Sequence, residues 1–200
     1  MSELEYHGTR SSTNMSYLRT FAPWIAYAVI PSAHWQWAAL IAFGISAVTI
    51  AQQTRAGLRV EAMIIDIGSA LFFAALTVLA FADPNTALHP YTPAISSGVL
   101  AIIAGVSLAV RMPFTLGIAK QTTPRDLWEH PVFIRTGYII TSVWTASFAV
   151  GGIALAVLAH SSSTLRSGAQ VAAFVIPMVF TIRYVAYIQG RAQAPGQPLS

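Results

Sequence analysis

The chain has 200 residues, of which 55% are hydrophobic and only 9% charged; its net charge is +4, its pI about 9.8 and its mean hydropathy +0.60. Soluble domains carry about 25% charged residues, so this composition excludes an ordinary water-soluble globule and predicts an all-α membrane protein. The absence of cysteine excludes disulfides, iron–sulfur clusters, cysteine-ligated zinc and thiol nucleophiles. The basic balance does not signal nucleic acid, because the arginines stand at the ends of apolar runs, where orientation signals belong.

Two hundred residues hold six spans of about 20 residues with short connections. Residues 1–16 are polar and of mixed charge and read as a disordered arm. The apolar run behind them is too short and too late for a cleaved signal peptide. The first span covers 17–30, short for a crossing, with Pro23 near its start and Pro31 at its end. The second, 35–51, opens on Trp35 and Trp37, at an interfacial position. The third, 60–82, ends at the turn residues Asp83-Pro84-Asn85. The fourth, 94–110, carries Ser97, Gly98, Ala101 and Gly105, suited to close helix packing.

Between the fourth and fifth spans lies a stretch that is neither uniformly apolar nor loop-like. It opens with Arg111 and Pro113, and Met112–Ala119 reads as a short interfacial helix or a kinked extension of span four. Thr123-Pro124-Arg125-Asp126 reads as a helix start, with Thr123 as N-cap and Pro131 as the limit. Span five covers 132–159, span six 167–188 with Pro177 inside it, and 189–200 reads as a disordered tail. The six spans pair naturally as three hairpins, and the similar ends of spans two, four and six (Val48-Thr49-Ile50, Ala109-Val110-Arg111, Thr181-Ile182-Arg183) suggest a weak internal repeat. With six spans, one membrane face carries Arg10, Arg19, Arg55, Arg59, Arg111, Lys120, Arg125, Arg135, Arg183 and Arg191, and the other only Arg166. Positive residues stay inside, so both termini are expected in the cytoplasm.

Several side chains raise chemical questions. Asp66 lies well inside span three, with Glu61 near the cytoplasmic end. A carboxylate at that depth is paired or functional. It either forms a salt bridge with Arg111, Arg183 or Arg59 or serves as a proton or ion relay. His34, His89 and His160 sit one in each outer hairpin loop, where they would bind zinc or copper, sense pH, or remain solvated. Thr141, Ser142, Thr145 and Ser147 on span five would line a substrate path or bond to helix backbones. No P-loop, Rossmann glycine pattern, HExxH or GxSxG is present, and no histidine lies mid-span to ligate haem. Neither a cofactor nor a catalytic site is expected.

Arg111-Met112-Pro113-Phe114, the following Lys120, Pro124 ahead of Trp128, and Trp144 in the next span form a pattern. It resembles the bacterial intracellular septation protein A family of small inner-membrane proteins. The likeness covers about 35 residues in detail; Arg135-Thr136-Gly137 stand where that family has other polar residues. The resemblance implies a multi-span protein of the bacterial inner membrane. It also implies a non-enzymatic role in envelope maintenance and septum assembly, with other inner-membrane or division proteins, or further copies of the chain, as partners. Contact with them or with anionic lipids would run through Arg111, Pro113, Phe114, Lys120, Trp128 and Arg135, a basic face with an aromatic anchor. The competing reading is a small transporter or lipid or isoprenoid carrier, built on Asp66 and the proline-broken spans.

Overall fold

The computed structural model describes residues 20–58 and 60–193. The expected arm at 1–16, the first residues of span one, Arg59 and the last residues of the tail lie outside them. Among the described residues every regular element is helical. The α-helices are α1 (Thr20–Val29), α2 (Trp35–Arg55), α3 (Ile64–Ala82), α4 (Thr92–Ala109), α5 (Phe114–Ala119), α6 (Pro131–Val157) and α7 (Ser163–Gln193). Five of them, α2, α3, α4, α6 and α7, are long and apolar enough to cross a membrane. Large apolar side chains remain exposed along them, among them Leu71 at 69%, Val78 at 70% and Val157 at 80%. Water would make such ridges a liability, whereas a hydrocarbon surrounding makes them the expected outer surface.

The chain forms two compact units, Met1–His89 with Leu116–Arg125, and Pro90–Thr115 with Asp126–Ser200. In the first, α2 packs on α3. Small side chains permit the approach: Ala38, Ala39 and Ala42 of α2 and Ala80 of α3 are all fully buried. Trp24 of α1 is the anchor. Its ring stacks on Phe72 at 5.2 Å, and its Nε1 donates to Ser69 Oγ at 2.7 Å. The Ser69 hydroxyl in turn donates to the Ile65 carbonyl of its own helix at 2.7 Å. A buried indole N–H is thus satisfied without water.

The second unit repeats that device. Trp144 of α6 is buried against Phe148, and its Nε1 donates to Thr181 Oγ1 on α7 at 3.0 Å. The Thr181 hydroxyl donates to the Pro177 carbonyl at 2.8 Å. Pro177 lacks the N–H that would have bonded the Ala173 carbonyl four residues back. Ser147 of α6 supplies the missing donor, at 3.0 Å. α6 can come this close because a Cβ on Gly151 would stand only 2.7 Å from that of Ala173. On its other side α6 packs on α4, where a Cβ on Gly152 would meet the Gly98 nitrogen at 3.3 Å, and Gly105 lies against the Thr145 methyl. The tight position at this contact is Gly152, whereas a Cβ on Gly98 would meet nothing within 4 Å and one on Gly105 would make ordinary contact.

Element boundaries differ from the sequence reading where capping was missed. Span two continues to Arg55 and span six starts at Ser163 and continues to Gln193, through the start of the expected tail. Span three is preceded by a single 3₁₀ turn, Val60–Met63. No α-helix follows Thr123; that segment holds only the 3₁₀ turn Arg125–Leu127. The next helix begins instead at Pro131, with His130 as N-cap, its Nδ1 accepting from the Val132 N–H at 3.3 Å. Pro131 opens this helix rather than closing the previous one, because a proline at the first helical position gives up an N–H that is orphaned anyway.

The Ser147 bond generates a prediction. Ser147→Ala should cost about 1 kcal/mol in unfolding experiments in mild detergent. In a Pro177→Ala background, where residue 177 regains its N–H, the same change should cost clearly less. Equal costs in the two backgrounds would show that the hydroxyl does not serve the proline-freed carbonyl.

Candidate functional site

The Arg111–Trp144 segment starts where α4 ends. The Met112 N–H bonds the Ser107 carbonyl at 2.8 Å and the Arg111 N–H bonds the Leu108 carbonyl at 3.0 Å, which together form a Schellman cap. The geometry puts Arg111 at φ 59, in the left-handed region, the one non-glycine residue there among those described. α2 ends on the same pair of bonds, Leu58 N–H to Gln53 and Gly57 N–H to Thr54, but there the left-handed position is Gly57 at φ 69. Both helices thus end in the same capping geometry, but the likeness seen in the sequence is not its cause: Val48-Thr49-Ile50 lies within α2, ahead of the cap at Gly57. At the end of α4 an exposed arginine stands where glycine avoids a cost of about 1–2 kcal/mol.

The segment then turns inward. Ser107 Oγ accepts from the Phe114 N–H at 3.2 Å, capping the start of α5. Thr115 Oγ1 donates to the Gly137 carbonyl at 2.9 Å and lies 2.7 Å from Thr141 Oγ1. Pro113 through Ile118 are buried, and the Phe114 ring meets Trp144 edge-on at 6.4 Å. α5 is therefore a helix packed inside the protein and not one laid along an interface. Pro113 and Phe114 belong to the core and anchor the segment from within. The cations face outward: Arg111, Arg125 and Arg135 are exposed, and Lys120 and Trp128 are half-buried.

Asp66 is wholly buried in the first turn of α3, and its Oδ2 accepts from Gln53 Nε2 of α2 at 2.9 Å. Gln53 was not singled out in the sequence, although the signal is there. Ser46, Thr49 and Gln53 recur at helical spacing along one buried face of α2. With Asp66, Ser69 and Thr20 they give the first unit a polar interior. The Gln53 Oε1 is buried with no hydrogen-bond partner among the described residues. Arg59, one expected partner of Asp66, and the Glu61 side chain lie outside the described residues; Arg183 is exposed on α7.

The histidines have separate surroundings. His34 is exposed, His89 stacks on Trp35 at 4.9 Å, and His160 Nε2 lies 3.1 Å from the Tyr91 hydroxyl. Among the described residues no group of three His, Cys, Asp or Glu side chains could hold a metal ion. Three of the four hydroxyls singled out on span five are spent on structure, Thr145 bonding the Thr141 carbonyl at 2.8 Å and Thr141 and Ser147 bonding as described above, while Ser142 is exposed. No protein-family model, curated protein or solved structure matches the chain.

Arg111→Gly isolates the strain from the charge. Glycine relieves the left-handed conformation but loses a cation beside the α4 carboxyl end, worth about 0.3–1 kcal/mol. The net expectation is a gain of about 0.5–1 kcal/mol in unfolding free energy. An unchanged or lowered stability would mean that the guanidinium makes up for the strain within the folded protein.

Proposed function

We propose that this chain is a six-span protein of the bacterial inner membrane, of septation protein A type, with both termini in the cytoplasm. Its sixth span is the one to which α1 belongs. It acts without catalysis, by docking anionic lipid headgroups or an acidic membrane partner on the cytoplasmic Arg111–Arg135 segment. The observation that carries this reading is Arg111, a strained, exposed arginine at a position where glycine would be more stable. Strain retained at such a place points to a use for the side chain. The buried Pro113–Ile118 stretch supports the same reading, since it fixes the segment from which the cations project. Lys120, Trp128 and Arg135 complete the contact, each cation adding about 1 kcal/mol of attraction to an anionic surface. Charge reversal at Arg111→Glu with Lys120→Glu should abolish copurification of the partner from gently extracted membranes while helix content stays unchanged. Full copurification by the double variant would contradict this reading.

The polar interior around Asp66 and Gln53 favours a second reading, a small transporter or lipid or isoprenoid carrier. A carboxyl group buried in an apolar bundle with an amide partner is what a carrier of a polar group or a proton requires. Native mass spectrometry of protein taken from its own membrane distinguishes the two. On the carrier reading a stoichiometric small molecule is present, and Asp66→Asn loses it without a change in melting temperature. Loss of stability in Asp66→Asn, with no such molecule in the parent protein, leaves the carboxyl a structural group.

A further inference from the structure

We propose that the groove between α4 and α6 is a binding site for one acyl chain of an anionic phospholipid, whose headgroup sits at Tyr91, His160 and Arg166. The groove lies wholly within the second unit and stands apart from the Arg111–Arg135 segment. It has a volume of about 360 Å³ and is lined by Tyr91, Ala94 and Gly98 of α4 and its start, and by Ala149, Gly152 and Ala156 of α6, with two isoleucines. At its floor a Cβ on Gly152 would stand 3.3 Å from the Gly98 nitrogen and 3.4 Å from the Ala94 carbonyl. Small side chains on both walls leave the space that larger ones would fill.

Size and shape decide what fits. The lining spans eight residues along each wall, a length of about 10 Å, or roughly a third of the hydrocarbon core. One chain in one leaflet has that reach. The groove is open along its length and lined by small side chains, so one extended chain can lie in it against both helices. The walls offer no hydrogen-bonding group apart from the Tyr91 hydroxyl at one end.

That end is polar, and its charge is set by a cation. The Tyr91 hydroxyl lies 3.1 Å from His160 Nε2, and the rings meet edge-on. The next residue back, Ala159, accepts at its carbonyl from Arg166 Nη1 at 3.4 Å. Arg166 is only partly buried. In the proposed pose its guanidinium holds the phosphate close to His160, and the acyl chain runs down the groove. Arg166 is also the lone cation that the charge pattern assigns to this membrane face.

The test uses the full chain in detergent, with native mass spectrometry against phosphatidylglycerol and phosphatidylcholine of identical acyl chains. The parent protein should retain one phosphatidylglycerol at lower detergent-to-lipid ratio than phosphatidylcholine, with a preference of about fivefold, the size expected for one basic residue at an anionic headgroup. Ala156→Phe, which fills the groove from an exposed position, should remove the retained lipid of both kinds. Arg166→Gln should keep lipid binding and lose the preference. Ala149→Leu serves as a second filling variant if Ala156→Phe fails to fold. Retention unaffected by a folded filling variant would overturn the proposal, as would equal retention of the two lipids by the parent. A dimer that disappears on filling the groove would also overturn it, in favour of a second copy as the occupant.

Discussion

A hydroxyl that accepts from a neighbouring helix and donates to its own backbone is the interaction on which both units rest. Hydrocarbon offers no partner for a buried N–H or O–H, so each must be satisfied within the protein. Ser69 does this for Trp24, and Thr181 does it for Trp144. Each indole brings a large apolar surface to the core together with one donor, and the hydroxyl accepts that donor without leaving one of its own unmet. The aromatic clusters around Phe72 and Phe73, and around Phe148 and Phe174, then assemble on a fixed ring. Pro177 extends the same logic. A proline frees a carbonyl, the adjacent helix contributes Ser147 to bind it, and Gly151 allows the approach that makes the bond possible.

The segment after α4 combines strain and burial in a way that ordinary loop construction does not require. A Schellman cap turns the chain, Ser107 caps the next helix, and Thr115 ties that helix to α6. Such a segment is held firmly enough to keep Arg111 in a left-handed conformation. Arg111 is thus presented from a capped helix end and not from an open loop. Rigid presentation reduces the ordering cost of docking, which is why the segment suits a binding role better than its composition alone would imply.

Class and span positions were legible because apolar runs bounded by Pro, Gly and charge are strong signals, and the five membrane-length helices fall on them. Trp144 was noted only within the family pattern, and nothing in the sequence marked it as the core ring of its unit. Gln53 as a partner of Asp66 was not legible, because a sequence gives the depth of a residue along its helix but not which neighbour its helix turns toward. Depth pointed to arginines, and rotation adds Gln53. A short helix was expected after Thr123 because Thr123-Pro124 and His130-Pro131 are both plausible caps, and the choice was made by what lies beyond them. A 27-residue apolar helix follows the second, and a polar turn follows the first. The burial of α5 was illegible too: Met112–Ala119 is equally apolar whether it rests on lipid or on protein, and the bonds of Ser107 and Thr115 decide in favour of protein.

The functional reading depends above all on the membrane face to which the Arg111–Arg135 segment belongs. The chain has no cysteine, so single cysteines can be introduced without background. Ala87→Cys, Gln121→Cys and Ser162→Cys lie at exposed positions between the long helices. Labelling of intact spheroplasts with a membrane-impermeant maleimide should modify residues 87 and 162 and spare residue 121 until the membrane is permeabilised. Labelling of residue 121 from outside, or of 87 and 162 from opposite sides, would contradict both the six-span arrangement and a cytoplasmic docking segment.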